Sequence, residues 1–403
     1  MKDRNEDSLV KTIAFVNAEV YTPNRVINSG QVIVRGKRIT HVGRAGEFNL
    51  KGAEVIDVKG HYLAPGFVDT HVHGGGGGDF IDGTLAAVKA AAGQHLLAGT
   101  TTLYPSTTTH RMENILRALK VLRGVVGKNI KGMAFIPGVH VEGPFLTKSE
   151  PGCHNLKLLL DPVPPHTTQI MQYADIIKRM TLAPEDPGAM DFIRELTAKG
   201  IMVSIGHSAA TYEQVALAIE AGATHVTHLY NAMSTIKRVN AKRYAGVLEA
   251  ALEREDLTTE IIADGKHLPT CLLRIAFKCK GPEKLILISD CMRALGLPEG
   301  KLYEVCGQMA LYEDGVGYTP DKQAFASSAI PMCEAVRHMV QTVGVSLKDV
   351  LTMASLTPAK LMGIDSFKGS LASGKDADLL ILDRASLRPV YVMAMGQQAV
   401  DRR

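Results

Sequence analysis

The sequence predicts an α/β protein, a TIM-type (β/α)8 barrel with a small β-sandwich domain built from both chain termini. Two observations carry that prediction. Between Gly66 and Gly363 short apolar runs alternate with helical patterns, the signature of a parallel sheet wound by crossover helices. Towards both ends of the chain the alternation gives way to β-branched runs separated by Gly and Asn turns.

The barrel strands are expected at residues 67–73, 101–106, 138–142, 180–184, 202–207, 225–229, 260–264 and 285–290. Helices are expected at 85–98, 112–125, 189–199, 212–221 and 331–343, with Thr211 and Gln214 spaced as a capping box at the start of the fourth. Eight strands with helices between them close a barrel. The terminal β-segments fall at 13–21, 31–42 and 54–63, and again at 377–382 and 390–395. The simplest architecture assigns 10–65 and 364–403 to one small sandwich and 66–363 to the catalytic barrel inserted between its halves.

Composition narrows the function classes. The chain has 403 residues, 46% hydrophobic and 21% charged, with 38 glycines: a globular protein with a sizeable core. A net charge of +4 with scattered basic residues argues against nucleic acid as a partner. No apolar run approaches the ~20 residues that span a bilayer, so no membrane association is expected. Six cysteines form no CxxC pair, and the polar start MKDRNEDSLV has no apolar segment behind it, which points to a reduced, cytoplasmic protein.

Most predicted strands end in a residue able to bind a metal or move a proton: His71 and His73, Glu142, His207, His228, Asp264 and Asp290. In such a barrel, side chains at the C-terminal strand ends converge in one bowl. His71 and His73, two apart on a strand, share a face and can share a metal. Alone they would read equally well as hydrogen-bonded core histidines. Glu142 ends an apolar strand in GVHVEGP, where a buried carboxylate needs a cation. With His207 and His228 it completes the three protein ligands of a catalytic metal site with an open position. Asp290, closing LILISD, is either the N-cap of a following helix or a general base that takes a proton from water and returns it to a leaving nitrogen. The run Gly74 to Gly78 lacks the residues of a phosphate-binding loop and is expected to form a flexible wall of the site's mouth.

The motifs PGFVDTHVHGGGGGDF, GVHVEGPF, MTLAPE, SIGHS, THLYNAM, IIADGKH and LISDCMRALGLPEG occur together and in this order. As a set, with the closing GSLASGKDADLLILD, they resemble the N-acetylglucosamine-6-phosphate deacetylase family of the amidohydrolase superfamily from about residue 13 onward. The resemblance implies deacetylation of a phosphorylated amino sugar by a homodimer carrying one or two divalent ions. Zinc or iron suits such ligands best, and manganese or cobalt would also fit. It places Glu142, His207 and His228 on the main metal, His71 and His73 on a second, and Asp290 as the catalytic acid/base. It further implies that His154 polarises the acetamide and that His267, Asn231 and Ala232 contact the substrate.

Two departures from the family pattern bear on specificity. Where the family has an Arg in an REPG-like context, this chain reads NAMSTIKRVNAKRYAGV, leaving Lys237, Arg238, Lys242 and Arg243 as candidate phosphate partners, Arg238 foremost. FASSAIPM replaces a Gly-Ser pair near the sugar. The alternatives are therefore the same reaction on N-acetylgalactosamine 6-phosphate, another amidohydrolase reaction (cyclic amide hydrolysis or deamination), and a noncatalytic scaffold.

Overall fold

The computed structural model describes residues 11–403. The polar stretch 1–10, including the first residue of the expected 10–65 segment, lies outside the described residues. Eight parallel strands stand side by side in chain order: Phe67–Val72, Thr100–Thr107, Val139–Glu142, Ile177–Leu182, Met202–Ile205, Ala223–Val226, Thr258–Ile262 and Leu285–Ile288. Several are buried at every position, which is why they read as continuous apolar or β-branched runs such as LILI rather than as alternating patterns. The seam between the last strand and the first is closed by Asp290 N–H donating to the His71 carbonyl at 2.9 Å and by Ser289 Oγ donating to Asp69.

A helix follows each strand. Leu85–Leu97, Met112–Arg123, Ala189–Ala198 and Tyr212–Ala221 fall within two residues of expectation, and the last opens with the Thr211/Gln214 capping box. The expected 331–343 helix begins at Met332 and widens into π-type turns over Met339–Val343. The sequence reading passed over His166–Met171, Val247–Glu253 and Thr270–Lys284. The third is interrupted at Gly281 (φ 63), just before Pro282, so its pattern carries a stop signal inside the element. The reading also passed over a basic hairpin, Lys237–Val239 with Lys242–Tyr244, and a four-stranded antiparallel sheet spanning Lys301–Val305 to Phe325–Ser328. The hairpin strands are three residues long and fully exposed, and the sheet's strands are three to six residues long with only part of one face buried, around Val305, Ala310 and Tyr312.

Strands from both chain ends form one further sheet, in the order Gln397–Asp401, Pro389–Ala394, Leu379–Leu382, Tyr62–Pro65, Thr12–Tyr21, Val26–Arg35 and Arg38–Arg44, with Glu54–Asp57 also paired to Thr12–Tyr21. Phe15 and Tyr391 lie three strands apart in this order. On a flat sheet that is about 14 Å at ~4.8 Å per strand, yet their rings meet edge to face at 5.5 Å. The sheet therefore curls over itself into the expected sandwich, enclosing Phe15, Val32, Leu63, Ile381 and Tyr391. Among the described residues no helix is long and apolar enough to cross a membrane.

The glycine run does not line the cleft. Gly74 and Gly75 pair with Gly78 and Asp79 in a small hairpin packed against the first helix, its paired residues buried and its tip, Gly76 and Gly77, exposed. A Cβ at Gly78 would stand 2.5 Å from the Ala87 carbonyl oxygen, so close packing demands glycine there.

Candidate active site

The strands stop two residues before His207, His228 and Asp290, each of which has a positive φ (48, 22 and 45°). A left-handed residue ends a strand and turns its side chain over the barrel mouth, and for a residue other than glycine this conformation is strained. His71 and Glu142 reach the same place from within their strands and His73 from just beyond one. All six are buried. All but His71, which lies just behind them, form the floor of a cleft of about 350 Å³ that His154, Asn231, Ala232, His267 and Phe325 to Ser327 also line.

Glu142 organises this floor. Its Oε1 faces His207 Nε2 at 3.5 Å and His228 Nε2 at 3.3 Å, and its Oε2 faces His71 Nε2 at 3.4 Å and His73 Nε2 at 3.2 Å. Asp290 Oδ1 lies 3.5 and 3.2 Å from the same two nitrogens, His71 and His73. His154 stands at the side, its Nε2 3.8 Å from Glu142. One carboxylate thus looks towards two imidazole pairs, and the acid Asp290 flanks only one of them.

The donor chemistry fits divalent ions. His207 Nδ1 lies 3.1 Å from the Glu150 carbonyl and His71 Nδ1 lies 2.7 Å from Glu260 Oε1, so both rings carry a proton on Nδ1 and turn a lone pair inward from Nε2. The inward nitrogens nearly meet, His228 and His207 at 3.0 Å and His71 and His73 at 3.2 Å. Lone pairs so close repel unless a cation or proton lies among them. Two groups, His71 with His73 and Asp290, and Glu142 with His154 and His207, hold all their donor atoms within 4.8 Å of one another.

The charges point the same way. Burial opposes a charged His71, but Glu142, Glu260 and Asp290 raise it to about 9. His73 is likewise raised well above the ordinary imidazole range, Asp290 and Glu142 overcoming burial. Burial would push the Asp290 carboxyl up, yet His71 and His73 hold it below the usual carboxylate range, so it is ionised and able to accept a proton. Burial, then the neighbouring His207, depresses His154, which is therefore a neutral imidazole with one N–H to donate.

The remaining predicted residues divide. His267 is held by Asp264, ring nitrogen to carboxylate 2.7 Å, and its ring lies 4.7 Å from that of Phe325. Asn231 and Ala232 line the cleft directly after His228. Arg238 does not line it: with Lys237, Lys242 and Arg243 it lies on the exposed hairpin, its Nε donating to the Asn240 carbonyl. Ser327, from the divergent FASSAIPM run, lines the cleft and donates to the Asp290 carbonyl.

Sequence reasoning missed the layer below. Arg179 grips Glu260 with both guanidinium arms, Nη1–Oε2 2.5 Å and Nη2–Oε1 2.7 Å, and also donates to Thr227. The same Glu260 Oε1 accepts from the His228 backbone N–H at 3.2 Å. Neither charge is exposed. The available signal was an Arg immediately before one predicted strand and a Glu at the start of another, since buried charges must find one another.

A hydrolytic metal centre at the mouth of such a barrel defines a class. The amidohydrolase family profile matches residues 62–399, and the chain belongs to that family. The chain is 34% identical over 370 residues to N-acetylglucosamine-6-phosphate deacetylase of Haemophilus influenzae, covering 91% of this chain and 94% of the relative. It is 33% identical to N-acetylgalactosamine-6-phosphate deacetylase of Escherichia coli O157:H7, over 84% of this chain and 87% of the relative. Its fold superposes, with a TM-score of 0.88 and 31% identity, on a mutant N-acetyl-D-glucosamine-6-phosphate deacetylase from Mycobacterium smegmatis in complex with N-acetyl-D-glucosamine-6-phosphate, covering 97% of this chain and 100% of that one.

Proposed function

We propose that this chain hydrolyses the acetamide of N-acetylglucosamine 6-phosphate, giving acetate and glucosamine 6-phosphate. The observation that carries the reading is the floor of the cleft, where an ionised Asp290 stands beside a Glu142-centred cluster that fits divalent ions. Glu142, His207 and His228 would hold one ion, and His71 and His73 a second through the other Glu142 oxygen. Zinc and iron suit these imidazole and carboxylate donors best.

A bound divalent ion acidifies water and polarises a carbonyl oxygen. Asp290 takes the proton as the water oxygen bonds to the acetamide carbon. His154, neutral, donates its N–H to the oxygen on which negative charge develops. Asp290 then returns the proton to the sugar nitrogen as the C–N bond breaks, and the amine leaves. His267, held in place by Asp264, and Asn231 orient the sugar.

No lysine or arginine lines the cleft among the described residues, so the phosphate needs a cation from elsewhere. We assign this to the basic hairpin, with Arg238 as the principal contact. Ile236, Val239 and Tyr244 are exposed beside those basic groups, a mixed surface suited to covering a second subunit in a homodimer. Arg238→Ala is expected to raise KM for the phosphorylated sugar about tenfold, the worth of one charge-assisted contact, and to leave KM for the unphosphorylated sugar unchanged. Six free cysteines agree with a reduced, cytoplasmic setting.

The likeness to an N-acetylgalactosamine-6-phosphate deacetylase favours a second reading, the same chemistry on the epimeric sugar. Acetate release from both hexosamine phosphates, with metal analysis of the same sample, decides between them. Metal-loaded protein that turns over neither sugar would overturn both readings.

A further inference from the structure

Cys153 and Cys306 lie 153 residues apart in the chain and meet in the cleft wall, with Sγ atoms 3.0 Å apart. Cys153 is half-buried and faces the cleft, while Cys306 is buried and accepts from the Thr108 hydroxyl at 2.8 Å. The segments that carry them are already joined, since Gln308 Nε2 donates to the Cys153 carbonyl at 2.8 Å.

The backbone at Cys306 adds an independent observation. Cys306 and Gly307, with φ of 51 and 73°, form the two-residue turn between the paired strands Lys301–Val305 and Gln308–Glu313. Such turns favour Asn-Gly or Asp-Gly, because the first position also needs a positive φ. A cysteine gains nothing from the backbone there, and its sulfur is aimed at the other thiol.

We infer that Cys153 and Cys306 are a peroxide-sensitive dithiol that closes to a disulfide across the wall of the active-site cleft. The Cys153 sulfur attacks one oxygen of hydrogen peroxide, the O–O bond breaks, and hydroxide leaves with the thiol proton as water. The Cys306 sulfur then attacks the resulting sulfenic acid. An S–S bond forms, the S–O bond breaks, and a second water carries off the Cys306 proton. Two thiols and one peroxide give one disulfide and two waters. Closing from 3.0 Å to the ~2.05 Å of an S–S bond needs a shift of about 1 Å, within the compliance of a loop and a turn tip.

The consequence for the site follows from the next residue. His154 adjoins Cys153, and its ring lies 4.5 Å from that of His207. Gly152, on the other side, approaches His207 so closely that a Cβ would stand 2.9 Å from its Cε1. Moving Cys153 therefore moves the imidazole that faces the acetamide. The effect on turnover rests on the deacetylase reading, but the bond itself does not.

The test treats zinc-loaded wild-type protein, Cys153→Ser and Cys306→Ser with hydrogen peroxide and reads both the bond and the rate. In the wild type, peptide mapping should find Cys153 joined to Cys306, and turnover should fall on the order of tenfold to a hundredfold, returning with dithiothreitol. Neither variant should form the bond, and Cys153→Ser should lack the reversible loss relative to its own untreated rate, whereas Cys306→Ser stops at the Cys153 sulfenic acid. Retention of both thiols, a bond mapped to another pair, or an equal reversible loss in Cys153→Ser would overturn the proposal. Because the bond is read by mass, an inactive protein that still forms it would count against the deacetylase reading alone.

Discussion

Two sets of buried carboxylates in this molecule are balanced in opposite ways. Beside the terminal-sheet strand Leu379–Leu382, Lys368 Nζ lies 3.1 Å from Asp376 and 2.7 Å from Asp378, and Arg38 adds a second cation 2.9 Å from Asp376. Two acids meet two cations supplied by the chain itself, and the cluster is complete as folded. At the barrel mouth Glu142 and Asp290 are equally buried but face only imidazoles, and no lysine or arginine lines the cleft among the described residues. The first arrangement holds two chain segments together. The second lacks fixed positive charge, which is what the proposed divalent ion would supply there.

The comparison is tested most severely at Asp290, whose carboxylate is assigned to proton transfer and not to holding the ion. Asp290→Asn should lower acetate release by about 10²- to 10⁴-fold, the range for loss of a positioned general acid/base, with bound metal retained. If metal analysis shows that the ion leaves with the carboxylate, Asp290 belongs among the ligands and its catalytic assignment must be redrawn. In the complete cluster the corresponding change is Lys368→Met. It leaves two buried acids short of one cation and should cost about 3–5 kcal/mol in urea unfolding. Chelation of the wild-type protein should cost far less, because His71 and His73 can take up protons in place of the ion. Equal losses would mean that the mouth is as dependent on its cation for folding as the sandwich junction is.

How far each region was legible follows from the same contrast. Glu142, His207, His228 and Asp290 stood out because each ends an apolar run, where the pattern supplies no packing reason for a charge. Their left-handed backbones, which stop the strands short of three of them, leave no mark in the residue pattern. Arg179 and Glu260 were hidden because each sits inside or at the start of its run, where a charged residue reads as a strand boundary. The expected strand at 180–184 accordingly began too late, and Ile177–Leu182 carries the buried Arg179 in its interior. Arg238 could be named as a candidate from its charge, but its place on an exposed hairpin depends on pairing between two three-residue strands too short to show a period. The same holds for Cys153 and Cys306, whose meeting is decided by tertiary folding alone.

The Arg179–Glu260 ion pair supports the mouth from below. Glu260 fixes the tautomer of His71 and holds the backbone N–H of His228, so it should tune affinity for the ion without touching substrate. Glu260→Gln keeps the shape but weakens both hydrogen bonds, and should reduce metal affinity about 10- to 100-fold. Restoring metal in excess should recover most of the turnover. Turnover that stays low at saturating metal would show that Glu260 sets the geometry of the reaction as well as the hold on the ion.

The change that needs no substitution is the most direct reading of the missing charge. In the metal-free protein the surrounding carboxylates overcome burial and raise His71 to about 9, and His73 is raised as well. At neutral pH protons therefore occupy the nitrogens that an ion must use, and binding has to expel them. Because the ion binds the deprotonated ring, its apparent affinity should rise with pH towards about 9, by roughly tenfold per unit for each proton displaced. Calorimetric titrations in buffers of different ionisation enthalpy measure that release directly. The Lys368 cluster offers no such exchange, since its cations are side chains built into the chain. An affinity that is flat between neutral pH and about 9, with no protons released, would mean that the imidazoles are already neutral and that the mouth is balanced by something other than an exchangeable cation.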